Sequence, residues 1–251
     1  MTVVEQFKQA RMLAREIVET FAAPRFYVEL SGERETSRRI LYSHLMLEKA
    51  RRIVTEADEH FGHGLRHSEK VATDAGSIVQ NESPRTGVSP DRMTHTVFLV
   101  QLASLLHDTK RRLPDHARRG ALAAAEILAD FPLKDVERDW IVGAIRNHEA
   151  FVEPIPIGCP EGQLLSDALY DADKFRWGPD NFTETVWEMI SPDKVPLNIV
   201  LAHFPKGMEG IKRIASTFRT ETGKKYGPEF IEIGLAIGQK LYDELLKRFP
   251  L

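Results

Sequence analysis

The chain has 251 residues, of which 42% are hydrophobic, and its 34 basic and 37 acidic side chains give a formal net charge of −3. This hydrophobic fraction excludes wholesale disorder, and the near balance of charge excludes a dedicated nucleic-acid-binding surface. The single cysteine, Cys159, excludes an intrachain disulfide and fits a reducing compartment. Because no secretory signal and no run of about 18 apolar residues is found, we expect a cytoplasmic protein without a membrane span.

Apolar residues recur at helical spacing along almost the whole chain, which predicts an all-α fold. Only the short segment 26–30 alternates like a strand. Segments 81–90 (NESPRTGVSP) and 152–162 (VEPIPIGCPEG) are predicted loops, because they are rich in proline, glycine and small polar residues. The predicted helices span, in chain order, residues 2–21, 37–61, 64–80, 89–108, 115–130, 135–150, 161–176, 180–190, 196–219 and 226–248.

The predicted helix that ends near residue 108 has apolar residues on nearly every side from Val97 to Leu106. A helix with this pattern belongs at the centre of a core. No internal repeat, low-complexity tract or linker interrupts the chain. We therefore expect a single helical-bundle domain over residues 59–251, preceded by an N-terminal helical extension over residues 1–58.

Several histidines stand at apolar positions of these helices. His67 shares a helix face with apolar residues, His148 closes the helix that precedes it, and His107 and Asp108 end the most apolar helix. His116 follows nine residues after His107. A lone buried histidine is more often a hydrogen-bonded core residue than a ligand. Taken together, however, these imidazoles and carboxylates form a mixed N/O donor set that suits iron, manganese, zinc, nickel or cobalt rather than calcium.

A further carboxylate for this set is expected from the helix QLLSDALYDADKF. Asp171 and Asp173 flank its apolar stripe on opposite sides, so helical periodicity leaves both open. No CxxC pair occurs in the sequence, which excludes a structural zinc ribbon. The absence of a glycine-rich phosphate loop and of a GxGxxG motif leaves a P-loop or Rossmann cofactor site unsupported.

The order of these residues resembles the HD-domain metal-dependent phosphohydrolases, over residues 60–176. The family's first histidine matches His67 in HSEKVATDA, its His-Asp pair matches LASLLHDTKRR, and its last aspartate matches Asp173 in DADKFRW, with Asp171 as the alternative. The resemblance implies one metal bound by His67, His107, Asp108 and Asp173. Two-metal members add histidines in contexts that match His116 in HARRGA and His148 in IRNHE, so one or two ions are expected.

The resemblance also implies a function, namely hydrolysis of a phosphate ester by a metal-activated water. The substrate would be a nucleotide or another small phosphorylated metabolite. The residues expected to act in catalysis are Asp108, Lys110 and Lys174, and those expected to contact substrate are Arg111, His116 and His148. Two alternatives remain open on the same fold, a diiron oxygenase and a non-catalytic nucleotide-sensing module. For the basic residues that follow Asp108, a solvated charged turn is the competing interpretation.

Overall fold

The computed structural model describes residues 2–57, 64–190 and 195–249. Every regular element within these ranges is helical and none is a strand, so the predicted all-α fold is confirmed. A short 3-10 helix, Phe175–Trp177, and a π-helix, Asn181–Thr185, follow the ninth α-helix. The α-helices are α1 Val3–Val18, α2 Arg25–Glu29, α3 Ser31–Ser43, α4 Leu45–Ala57, α5 Leu65–Thr86, α6 Pro90–Leu106, α7 His116–Leu128, α8 Asp135–Arg146, α9 Pro160–Lys174, α10 Val186–Met189, α11 Leu197–Ile214 and α12 Glu221–Arg248.

The chain divides into two compact units. The first contains Met1–Arg25, Lys174–Thr217 and Tyr226–Leu251, and the second contains Phe26–Asp173 and Phe218–Lys225. Helix α12 thus starts in the second unit and from Tyr226 onward belongs to the first. The predicted domain boundary between residues 58 and 59 falls on 58–63, outside the described residues, and it stays a prediction.

The second unit is built around α6. Every residue of this helix from 96 to 106 is buried, which confirms the prediction that it forms the centre of the core. It packs against α3, α4, α5 and α8. Ser89 precedes the helix as its N-cap and Pro90 occupies its first turn, as predicted. The buried Gln101 side-chain amide N–H of α6 donates to the Ser37 carbonyl of α3 at 2.7 Å.

Aromatic side chains hold the first unit together. Helix α1 begins with a capping box between Thr2 and Glu5 and packs against the π-helix and α11. Phe7 of α1 meets Trp187 edge to face, with ring centroids 5.9 Å apart. Phe175 stacks on Phe230 with centroids 4.2 Å apart, so the long α12 is held against the segment that follows α9.

The strand candidate 26–30 is wrong, because this segment forms α2. Phe26 and Leu30 are buried while Val28, between them, is 67% exposed. Positions i and i+4 share a helix face, whereas alternate residues share a strand face. The segment is too short for its apolar pattern to distinguish a helix from a strand.

The predicted helix 37–61 is two helices, α3 and α4, which meet at His44, and its last residues lie outside the described ranges. His44 has an extended backbone (φ −89°, ψ 120°). Its ring stacks on Phe98 of α6 with centroids 4.1 Å apart, and its Nδ1 accepts the Met46 N–H at 3.2 Å. We attribute the break to packing of His44 against α6. Helical periodicity in the sequence does not predict such a tertiary contact.

The predicted loop 81–90 is also partly wrong, because α5 continues through Pro84 to Thr86 and ends at Gly87 in the left-handed conformation (φ +74°). Side chains of these last turns are held by a distant segment. Asn81 donates to the Thr222 hydroxyl at 2.8 Å, and the Glu82 carboxylate accepts the Thr222 N–H at 2.6 Å. Tertiary contacts therefore override the local preference for a turn.

Other helix ends differ from the predicted ones. Helix α8 ends at Arg146 with Asn147 as its C-cap, so His148 lies beyond the helix instead of closing it. Helix α11 ends at Ile214 and α12 begins at Glu221, which leaves the polar segment around Arg219 between them. The predicted helix 180–190 is a π-helix followed by the short α10.

Close packing of α5 gives a first testable prediction. A Cβ at Gly76 would lie 2.3 Å from the Ser37 Oγ and 3.0 Å from Val97 Cγ1. We expect Gly76→Ala to lower the free energy of unfolding by about 1–3 kcal/mol through overpacking, measured by urea denaturation. Gly32→Ala on α3 is the control, because no atom lies within 4 Å of a Cβ there. Equal stability of the two variants would contradict the prediction.

Candidate metal centre

The end of α6 carries His107 and Asp108 to the centre of a histidine cluster. His107 is fully buried, and the Asp108 side chain is 7% exposed. The Nε2 atom of His107 lies 3.6 Å from Asp108 Oδ2 and 3.6 Å from Asp173 Oδ1. His67 of α5 lies on the same side, with its Nε2 3.4 Å from Asp173 Oδ1. The structure thus brings together the four residues of the predicted first metal site.

The two oxygens of Asp108 face different pairs of histidines. Oδ2 lies 3.6 Å from the Nε2 of His107 and 3.9 Å from that of His67. Oδ1 lies 3.4 Å from the Nε2 of His148 and 3.9 Å from that of His116. The predicted additional histidines therefore converge on the same carboxylate from its other side. Asp108 stands between two half-sites, each with two imidazoles. The first half-site contains His67 and His107, and the second contains His116 and His148.

Asp173 and Asp171, which the sequence left open, have different partners. Asp173 faces the histidines. Asp171 is fully buried and accepts hydrogen bonds from the Arg219 N–H at 2.8 Å, the Thr220 N–H at 2.8 Å and the Thr220 hydroxyl at 2.7 Å. Burial raises the pKa of Asp171 to about 7, while these hydrogen bonds act in the opposite direction. Asp173 is the carboxylate that the structure adds to the cluster.

Backbone carbonyls fix the orientation of two rings. The Nδ1 atom of His107 is 2.7 Å from the Ser104 carbonyl, and that of His148 is 2.5 Å from the Ile145 carbonyl. A carbonyl only accepts hydrogen bonds, so each Nδ1 donates its proton. When either ring is neutral, its Nε2 is an unprotonated lone-pair donor that faces the cluster, which is the arrangement that metal-binding histidines adopt.

The cluster leaves buried polar atoms without hydrogen bonds. Within the described part of the chain, His107 Nε2, His148 Nε2 and Asp108 Oδ1 are buried and make none. Burying such groups without a partner costs free energy. One ligand atom each from His67, His107 and Asp173, and one each from His107, Asp108 and His148, lie within 4.8 Å of one another. These groups could hold a metal ion, and one would satisfy the lone pairs that the protein leaves unused.

Charges in the cluster favour the ionised form of Asp108. Burial alone would disfavour the carboxylate form of Asp108, but His107, His148 and Arg111 outweigh it and hold its pKa well below the ordinary value. Burial likewise disfavours charging of His107, yet Asp108 and Asp173 outweigh it and raise its pKa. The centre therefore attracts positive charge, as a cation site must.

The predicted basic residues have different placements. Arg111 lies near residues of both half-sites, with Nη1 2.9 Å from His116 Nε2 and Nε 3.9 Å from Asp108 Oδ2, the oxygen that faces His67 and His107. Burial, helped by His148 and Arg111, lowers the pKa of His116, so its neutral ring accepts the hydrogen bond from Arg111. Lys110 is exposed. Lys174 is buried, and it is the first residue of the range Lys174–Thr217, which belongs to the first unit.

Unusual backbone conformations flank both histidines of the second half-site. Among the described residues, Asp115 and Phe151 are the non-glycine residues with positive φ, at 54° and 65°. Asp115 directly precedes His116, and Phe151 follows His148 by three residues. Such conformations cost about 1–3 kcal/mol and persist only where surrounding structure enforces them.

Known proteins do not supply an assignment. Comparison of the chain with family models, curated proteins and solved structures finds no match. The case for the centre therefore comes from the side chains of this protein alone. None of the helices in the described ranges has the length and apolar character needed to cross a membrane.

Sequence reasoning missed the residues that support the second half-site. The Arg219 guanidinium donates to the Asn147 carbonyl at 3.0 Å, directly before His148 in the chain. Its carbon lies 3.5 Å from the centroid of the Tyr170 ring. The sequence contained one signal for this segment, because a carboxylate beside a buried helical stripe, as at Asp171, needs hydrogen-bond donors. It did not indicate that the donors are the N–H groups of Arg219 and Thr220, which are distant in the chain.

Proposed function

We propose that this chain is a metal-dependent phosphohydrolase of the HD-domain type. The observation that carries the proposal is the position of Asp108, whose two oxygens face two separate pairs of histidines at 3.4–3.9 Å. A carboxylate placed in this way could serve as a ligand at both half-sites if metal ions were bound. Sites of that kind are common in enzymes that cleave phosphate esters.

The residues divide between two ions. The first would be held by His67, His107, Asp108 and Asp173, and the second by Asp108, His116 and His148. When bound, such ions polarise a phosphoryl oxygen and lower the pKa of bound water toward neutrality. The donor set favours iron, manganese, zinc, nickel or cobalt over magnesium or calcium, because each half-site contains two imidazoles beside its carboxylate ligands.

Cationic side chains would bind the phosphoryl group. Arg111 lies beside both Asp108 and His116, so its guanidinium is placed to pair with an anionic substrate at the second half-site. In the structure Arg111 donates to the same His116 nitrogen that would bind an ion. His116 therefore binds either Arg111 or a metal ion at that atom. Lys110 and Lys174 are proposed as further cations that offset phosphoryl charge.

A phosphatase screen tests the proposal. The purified protein is stripped with a chelator, reloaded with Mn²⁺, Fe²⁺, Co²⁺, Ni²⁺, Zn²⁺ or Mg²⁺, and assayed for phosphate release from para-nitrophenyl phosphate and from nucleoside mono-, di- and triphosphates. We expect release with at least one transition metal, loss on chelation and recovery on reloading. Absence of release with every metal and ester, or release that survives chelation, would rule the proposal out.

The same geometry favours a second candidate function, a diiron oxygenase. That chemistry needs two metal sites, and two histidines are available at each oxygen of Asp108. Oxygen consumption by the Fe²⁺-loaded protein, without phosphate release, would select it. A non-catalytic nucleotide-sensing module predicts the loss of a ligand. His67, His107, Asp108 and Asp173 are all present in one cluster, so no observation favours that alternative.

A further inference from the structure

The segment Phe218–Lys225 belongs to the second unit although it follows α11 in sequence. Two buried carboxylates hold its backbone. Asp171 of α9 accepts the N–H groups of Arg219 and Thr220, each at 2.8 Å. Glu82 of α5 accepts the N–H of Thr222 at 2.6 Å. These bonds satisfy backbone donors where α12 begins, and they fix the position from which the Arg219 side chain extends.

The Arg219 side chain is 14% exposed and is held on three sides. Its carbon lies 3.5 Å from the Tyr170 ring centroid, and its Nη1 lies 4.0 Å from Asp167 Oδ1. The same Nη1 donates to the carbonyl of Asn147 at 3.0 Å. The guanidinium therefore ties α9 to the C-terminal end of α8.

Asn147 is the point at which the chain leaves α8. Its side-chain amide donates to the Ile155 carbonyl at 2.8 Å and to the Ser166 hydroxyl at 3.1 Å, and its side-chain oxygen accepts the Ile155 N–H at 3.0 Å. The next residue is His148, whose ring is oriented by the Ile145 carbonyl. The peptide that joins Asn147 to His148 carries the carbonyl that Arg219 binds. Movement of that peptide would move the imidazole.

We propose that Arg219 is a positioning residue for His148, and through it for the second metal ion. The inference rests on the proposed metal centre, and it assigns to the Phe218–Lys225 segment the task of holding that half-site in place. The first ion would be held by His67, His107, Asp108 and Asp173, and among the described residues Arg219 makes no hydrogen bond or ion pair with any of these four. Its partners on α9 are Asp167 and Tyr170, not Asp173. Arg219 should therefore affect one ion and not the other.

Cobalt titration tests this inference. The chelator-treated protein is titrated with Co²⁺, and bound ions are counted by elemental analysis after equilibrium dialysis while visible absorption reports their coordination. Wild type should bind two ions. In Arg219→Ala we expect the affinity for the second ion to fall about 10- to 100-fold, the usual effect of losing a group that orients a ligand. The affinity for the first ion and its absorption band should stay unchanged.

Two further variants make the test decisive. Lys224→Ala in the same segment is the control, because Lys224 is largely exposed and its ion pair is with its exposed neighbour Glu221. Arg219→Lys keeps a donor and should recover part of the second-ion affinity, and it replaces the alanine variant if that one fails to fold. An unchanged second site, equal loss at both sites, or a wild type that binds one ion overturns the inference. A wild type that binds two ions but hydrolyses no ester would refute the phosphohydrolase alone.

Discussion

Replacing Asp108 by asparagine is expected to abolish ion binding at both half-sites and, with it, hydrolysis. In the proposed centre each half-site would use one oxygen of this carboxylate, whose Oδ2 and Oδ1 lie 3.6 Å from His107 and 3.4 Å from His148. An amide has nearly the same shape but only one acceptor atom and no charge. We expect the rate of phosphate release to fall at least about 10³-fold, which corresponds to about 4 kcal/mol in activation free energy.

Metal-dependent stability gives the same substitution a second measurement. An ion that binds only the folded chain raises the free energy of unfolding by about 2.7 kcal/mol when its concentration is 100 times its dissociation constant. Thermal unfolding of wild type should therefore shift upward on addition of Mn²⁺ or Co²⁺. Asp108→Asn should fold, as circular dichroism will show, but its unfolding temperature should not respond to the metal.

The matched control is Asp139→Asn, an identical chemical change at an exposed position of α8. It should keep wild-type activity and the wild-type response to metal. Full activity of Asp108→Asn would refute the catalytic assignment, and a metal response of wild-type size in that variant would refute the assignment of Asp108 as a shared ligand.

Much of the candidate centre could be predicted from sequence because its residues stand at helical positions that face a core. His67 lies on the same face as Val71 and Ala75, which are fully buried, and His107 ends a helix that is apolar all round. At such positions an imidazole needs a partner, whichever fold surrounds it. Periodicity therefore locates candidates even where it does not identify the partner.

Helical periodicity could not decide some features, because they depend on hydrogen bonds to residues that are distant in sequence. Asp171 and Asp173 flank one apolar stripe, and only the position of Arg219 and Thr220 decides which carboxylate is left for the histidines. The extension of α5 past Asn81 likewise depends on its bond to Thr222. The open choice between the two aspartates and the misplaced end of α5 both depend on long-range hydrogen bonds from the segment at the start of α12.

The last prediction tests that segment directly. A Cβ at Gly223 would lie 2.0 Å from Oδ2, 2.5 Å from Cγ and 3.1 Å from Cβ of the buried Asp171. Gly223→Ala must therefore displace the carboxylate and break its bonds to Arg219 and Thr220, leaving a buried charge or buried donors unsatisfied. We expect the free energy of unfolding to fall by about 3 kcal/mol, which lowers the unfolding temperature by about 6–12 °C in a chain of this size.

Two comparisons separate the steric clash from a general intolerance of the helix. Gly210→Ala in α11 is the control, because no atom lies within 4 Å of a Cβ there and alanine is the better helix former; it should be neutral or stabilising. A double-mutant cycle with Asp171→Ala supplies the second comparison. Once the carboxylate is gone, the added cost of Gly223→Ala should shrink to about 1 kcal/mol, since only the Cβ contact remains. Additive costs would mean that Gly223 is required for some reason other than its approach to Asp171.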